Sequence, residues 1–320
     1  MLKLKRIVCV LLALLALPAA SLAETVVTSF YPIYLFALNL TDGLDGVEVH
    51  NLAAPGTGCL HDYQLQTSDM KKLAQADVFL INGAGMESFL PGVTDAFPDL
   101  RVVDASAGVD LLDAEVEGVV IDAHGEDEDH DHDHADGSYN AHIWLDAANA
   151  QIMVSNLAEG LMAALPDRAE AIAANRDAYL ARLAALDAEL TEGLAGLPHK
   201  DIITFHEAFP YFAQAYGLNV AAVVNREPGD ALSPARLAEL VQVVRDLGAP
   251  PLFVEPQYDD MAARTLSAET GAPMYQLDPV VTGPEEDIPL TYYEDMMRQN
   301  MAVLQEALPG QYPDERPHER

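Results

Sequence analysis

Residues 167–194 read DRAEAIAANRDAYLARLAALDAELTEGL, 28 positions with no proline and no glycine before Gly193. Ala, Leu, Glu and Arg are strong helix formers, and apolar residues recur at helical spacing through Ile172, Tyr179, Leu183 and Leu186. At 1.5 Å per residue such a helix is about 40 Å long, enough to cross a whole domain. A helix of that length in mid-chain, with different patterning on either side, reads as a stiff connector between two bodies.

Both flanks carry the same alternation. Before the connector, β-branched runs at Thr25–Ser29, Val47–Leu52, Val78–Asn82 and Arg101–Asp104 alternate with helical stretches at Tyr31–Leu40, Thr67–Ala74 and Glu87–Ala96. After it, strands are expected at Asp201–Phe205, Val220–Val224, Leu252–Glu255 and Met274–Leu277. Helices are expected there at Ala208–Tyr216, Ser233–Leu247, Asp259–Thr270 and Thr291–Leu308. Strand and helix in alternation imply parallel sheets covered by helices on both faces. The expected fold is therefore α/β, two lobes each with a four-stranded parallel sheet, joined by one long α-helix. The boundaries fall at 24–166 for the first lobe, 167–195 for the bridging helix and 196–310 for the second lobe, with a disordered tail at 311–320.

The first 23 residues have the form of a cleavable secretory signal: Lys3, Lys5 and Arg6, an apolar run from Ile7 to Leu17, and a small-residue exit ending Ser21-Leu22-Ala23. The run is too short to span a bilayer as a helix. Cys9 lies inside it and too early to bear a lipid, so a soluble protein in the periplasm or another extracytoplasmic space is expected. Cys59 then stands alone, which rules out an internal disulfide; it reads as a small buried apolar residue, although a thiolate ligand is the other use of such a side chain. Without the signal, 14 basic residues face 51 acidic ones, a net charge of −37. Nucleic acids and anionic membranes are poor partners for such a field, whereas cations are drawn to it.

Residues 122–136 break the pattern with eight acids and four histidines, His124, His130, His132 and His134. A segment of this composition has nothing to bury and reads as a surface loop that collects metal ions weakly. Three further histidines lie in unrelated contexts, His61 in CLHDY, His142 in AHIWLD and His206 in TFHEAF, and Asp278 follows in LDP. Their separations are too long for a local zinc finger. His206 and Asp278 fall at the carboxyl ends of expected strands and His61 in a loop after one, where open α/β sheets bind ligands. Imidazole and carboxylate donors suit Zn²⁺, and a site formed by two residues from each lobe would lie in the cleft between them. Glu255, at another strand end, is the candidate for orienting that cleft.

The stretches HDYQLQTSD at 61–69, NAHIWLD at 140–146, TFHEAFPYF at 204–212, FVEPQ at 253–257 and ETGAPMYQLDP at 269–279 resemble the signature segments of the zinc/manganese solute-binding proteins of ABC transporters. This is the ZnuA/TroA-like group, and the resemblance runs through the chain from Glu24 onward in the right order. It implies two lobes around a metal cleft, His61, His142, His206 and Asp278 as ligands, and delivery of the ion to a membrane permease by a monomeric carrier. Manganese-preferring relatives carry glutamate at the position of His206, so imidazole here implies zinc, with Mn²⁺ as the alternative. Leu60, Ala141 and Ala147 depart from the family pattern. Leu60 removes an extra carboxylate donor, and the two alanines replace prolines. Two rival readings are an exported zinc hydrolase and an adhesin. The zinc-protease helix motif fails at Pro210, no nucleophile motif is present, and nothing resembles a stalk or anchor, so no enzyme is expected.

Overall fold

The computed structural model describes residues 23–60, 63–114, 119–120, 139–224 and 233–308. The expected signal, His61, the acidic segment with His124, His130, His132 and His134, and the tail lie outside the described residues.

The first lobe is built on β1 (Glu24–Thr28), β2 (Val47–Asn51), β3 (Val78–Ile81) and β4 (Arg101–Asp104), parallel and in the order β2-β1-β3-β4. All four residues of the central β3, Val-Phe-Leu-Ile, are buried, because helices cover both faces and leave no side that needs polar residues. Helix α1 (Tyr31–Leu40) opens with Pro32 in its first turn, and α2 (Thr67–Leu73) opens with a reciprocal cap between Gln66 and Asp69. Helix α3 starts at Leu90, not at Glu87 as the pattern suggests, and ends at Ala96. The Glu87 carboxylate is instead buried, accepting the backbone N–H groups of Asn82 at 2.8 Å and Gly83 at 3.1 Å just beyond β3.

The second lobe has β6 (Asp201–Thr204), β7 (Asn219–Val223), β8 (Leu252–Val254) and β9 (Met274–Gln276) in the order β7-β6-β8-β9, again parallel. A fifth strand, β5, extends it at the β7 edge. Only Val119 and Val120 belong to β5, too few to show any period in sequence. Helices α6 (Pro210–Tyr216), α7 (Pro234–Asp246), α8 (Met261–Thr270) and α9 (Tyr292–Ala307) complete the lobe. Proline stands in the first turn of both α6 and α7, and Ser233 caps α7 by accepting the Arg236 N–H.

Between the lobes run α4 (Ala147–Ala164), a single 3₁₀ turn over Pro166–Arg168, and α5 (Ala169–Ala195), the expected long helix of 27 residues. Ile172, Tyr179, Leu183, Leu186, Leu190 and Leu194 form one buried stripe along α5. That stripe belongs to a continuous apolar core that also takes in Val26, Phe36 and Leu80 of the first lobe and Ile202, Phe212 and Phe253 of the second. Each of these burials stabilises the fold by about 1.5–3 kcal/mol. Smaller separate cores lie beneath the outer face of each sheet, around Leu240 and Leu266 in one lobe and Phe79 and Val93 in the other.

One polar cluster interrupts the seam. Arg182 of α5 pairs with the buried Glu294 of α9 at 2.9 Å, donates to the Asn39 side-chain carbonyl of α1 and lies over the Tyr179 ring. Arg182→Ala strands the Glu294 carboxylate, whose pKa burial already raises. With the arginine itself partly exposed, a loss of about 2 kcal/mol in unfolding free energy is expected, and adding Glu294→Gln should recover part of it in denaturant titrations.

Candidate metal centre

The strand ends of the second lobe and the approach to α4 meet at one place. His206 follows β6, and its ring is 2 % exposed; Nδ1 lies 3.1 Å from Glu255 Oε1, at the end of β8. Because a carboxylate accepts, Nδ1 carries the proton and the Nε2 lone pair is left for an incoming ion. Gln257 holds the other Glu255 oxygen at 2.6 Å, so the acceptor is itself oriented.

His142 is 1 % exposed and fixed in the same way by a different group. Its Nδ1 lies 3.1 Å from Asn140 Oδ1, which also accepts the His142 backbone N–H at 3.0 Å. The orientation of that amide follows from its other side, where Nδ2 donates to the Glu207 carbonyl at 2.8 Å. Asn140 is further anchored by its own N–H on the Leu112 carbonyl and by Tyr211, whose hydroxyl donates to the Asn140 carbonyl at 2.9 Å. Two residues on, the fully buried Trp144 donates its indole N–H to the Pro279 carbonyl at 2.7 Å and meets Phe30 edge-on at 5.0 Å. The motif carrying His142 is thus pinned to both lobes.

Cys59, read from sequence as a packing residue, stands beside both rings. Its Sγ is 3.2 Å from His142 Nε2, and the donor atoms of Cys59, His142 and His206 all lie within 4.8 Å of one another. The two imidazoles are perpendicular, with centroids 4.9 Å apart. Gly58, at φ +79°, turns the chain into this position and leaves room for the Tyr258 hydroxyl, which would lie 3.1 Å from any Cβ there.

Asp278 is not a member of that trio. It follows β9, where its carboxylate accepts the Val280 N–H at 2.7 Å while its backbone N–H and C=O are held by Asn300. Burial pushes its pKa up to about 6, against the pull of the Val280 N–H and with help from the Glu255 charge. Of the four expected ligands, the described structure therefore brings His142 and His206 together, sets Asp278 outside their immediate group, and does not include His61.

The electrostatics follow from burial around acidic neighbours. Burial pushes the His206 imidazole down, but the adjacent Glu255 charge and hydrogen bond, with Glu207 behind, outweigh it and leave the pKa raised. The Cys59 thiol is pushed well up by burial, with Glu255 and Glu207 acting in the same sense and a hydrogen bond from Tyr258 opposing them. Before an ion arrives, the pocket thus favours protons on both donors. A divalent cation would displace them and be stabilised by the same negative field.

Over residues 26–307 the sequence matches the family described as zinc-uptake complex component A, periplasmic. The chain belongs to this family. Among its relatives, the zinc-binding lipoprotein AdcA of Streptococcus pneumoniae is 31 % identical over 286 residues, covering 88 % of this chain and 55 % of AdcA. The high-affinity zinc uptake system protein ZnuA of Haemophilus ducreyi is 33 % identical over 278 residues, 84 % of this chain and 88 % of that one. The crystal structure of Zn(II)-bound AdcA from Streptococcus pneumoniae superposes with a TM-score of 0.74 at 28 % identity, covering 91 % of this chain and 59 % of AdcA. This chain thus spans just over half the length of the AdcA relatives it matches.

Sequence reasoning did not single out Asn140, and it favoured packing over a thiolate role for Cys59, which the structure sets beside both imidazoles. Asn140 stands two positions before His142 in the quoted motif, and Cys59 two before His61, but neither spacing reveals which way a side chain turns.

Glu255→Gln should lower the His206 pKa relative to the unaltered protein, because the charge that raises it is gone while an acceptor remains. Imidazole NMR titration of metal-free protein measures this. The same variant should bind zinc about tenfold more weakly, as loss of an outer-shell partner typically does.

Proposed function

We propose that this protein is the extracytoplasmic solute-binding component of a zinc ABC transporter, which captures Zn²⁺ between its lobes and hands it to a membrane permease. The observation that carries this reading is the pair His142 and His206. Each is buried and has Nδ1 held by a fixed acceptor, and the two rings meet edge-on at 4.9 Å beside Cys59 at the seam of two α/β lobes. His61 and Asp278 complete the proposed ligand set, on the strength of the family resemblance. Two oriented neutral imidazoles suit Zn²⁺ better than Mn²⁺, which prefers oxygen donors. The proposed carrier is a monomer with no catalytic role, held outside the cytoplasm. Among the described residues no helix is long and apolar enough to cross a membrane.

In this reading the ion meets an acidic surface, displaces protons from the donors, and is enclosed by a small rocking of one lobe against the other. The long helix with its shared core allows no wide hinge. Release on the permease reverses these steps.

Metal analysis and competitive titration test the assignment. The protein should hold one tightly bound zinc per chain, and His142→Ala should abolish that tight binding while leaving the circular dichroism spectrum intact. His206→Glu should shift the preference toward Mn²⁺. Unchanged selectivity would remove His206 from the ligand set.

Protons compete for the same donors. The raised His206 pKa places that competition at higher pH than for an ordinary imidazole, so zinc affinity should fall steadily from about pH 7.5 to about pH 5. Deleting residues 124–134 should preserve the tight site and remove only weak additional binding.

A further inference from the structure

We infer that Cys59 is a direct thiolate ligand of the captured ion, sharing it with His142 Nε2 and the His206 imidazole in the place that the family-based set gives to Asp278, whose carboxylate lies outside their group; this rests on the proposed zinc-capturing role of the site. The three donor atoms lie within 4.8 Å of one another, close enough that a modest contraction of the group would let them share one metal. In a tetrahedral zinc site with Zn–S near 2.3 Å and Zn–N near 2.05 Å, sulfur and nitrogen stand about 3.6 Å apart. Cys59 Sγ and His142 Nε2 are already at 3.2 Å, so this pair needs to open by only about 0.4 Å to share an ion.

The thiol is also placed where a ligand and not a packing residue belongs. His142 Nδ1 is engaged by Asn140, which leaves Nε2 as the metal-binding nitrogen, and Cys59 Sγ lies directly against it. On the other flank the Tyr258 hydroxyl hydrogen-bonds Cys59 through both the thiol and the backbone N–H, while the Tyr258 ring stands edge-on to His206 at 6.0 Å. These contacts hold the sulfur in register with both imidazoles. Binding costs one proton: the S–H bond breaks, the proton leaves to solvent, and the sulfur lone pair goes to the metal. A soft sulfur donor beside two imidazoles would favour Zn²⁺, Cd²⁺ and Co²⁺ over Mn²⁺ more strongly than an all-nitrogen-and-oxygen site does.

Cobalt substitution separates this from the alternative, in which Cys59 merely donates S–H to His142. The Co²⁺-loaded protein should show an intense near-ultraviolet sulfur-to-cobalt charge-transfer band, and Cys59→Ser should lose it, which assigns the band to Cys59 and not to Cys9. The serine keeps a hydroxyl that can donate to His142, so a hydrogen-bonding role would survive the change. Zinc affinity should nevertheless drop by more than about tenfold, since ligand loss costs at least what loss of an outer-shell partner costs. Cd²⁺ affinity should fall further still. Saturating zinc should also block alkylation of Cys59 in the unaltered protein. Stoichiometric cobalt binding that depends on His142 but shows no charge-transfer band, with zinc affinity of Cys59→Ser within threefold of the unaltered protein, would overturn the thiolate assignment and leave the zinc-capturing role standing. Failure of the unaltered protein to bind zinc or cobalt stoichiometrically would overturn both.

Discussion

The buried stripe of α5 is the constraint on which the rest of the molecule depends. Six large side chains from Ile172 to Leu194 face inward along about 33 Å of helix and join the cores of both lobes into one. Two lobes joined by extended strands could swing apart at the cost of a few backbone rotations. Here any wide opening would expose packed apolar surface and create voids along the seam, at a cost that grows with every ångström of separation. The arrangement between the lobes is therefore nearly as rigid as the interior of either, and the polar cluster of Arg182, Asn39 and Glu294 adds directional contacts across three helices.

That rigidity sets the character of the metal centre. The residues of the candidate centre come from the loop after β2, the turn before α4 and the ends of β6 and β8, segments that share no local structure. Preorganisation has to come from the groups behind the donors. Glu255 and Gln257 orient one imidazole, while Asn140, itself tied to Leu112, Glu207 and Tyr211, orients the other. Glu255, which orients the His206 ring, also raises its proton affinity, so competition from protons and attraction for a cation have the same source.

Much of this was legible in the chain. The strands and helices followed from β-branched runs and 3.6-residue periodicity, and where they differ the cause is a single side chain: Glu87 serving the backbone beyond β3, or Pro210 setting the first turn of α6. The two-residue β5 lies below the length at which periodicity can speak. His142 and His206 were singled out by their contexts, and Glu255 by its place at a strand end. Asn140 and Cys59 were not, because their importance lies in the direction of a side chain across 83 residues of sequence in one case and in a five-way hydrogen-bonding role in the other. Local pattern carries neither kind of information.

Trp144 is the single tryptophan of the chain, and it is wholly buried where the first-lobe Phe30, the second-lobe Pro279 and the ring of His142 all meet it. Indole emission responds to the polarity and the quenching groups of its immediate surroundings. In this molecule the whole intrinsic tryptophan signal therefore originates at one point, 5.2 Å from the ring of His142 and at the meeting of the two lobes. The chain thus carries its own optical reporter on the His142 ring and on the seam between the lobes, with no label to disturb either.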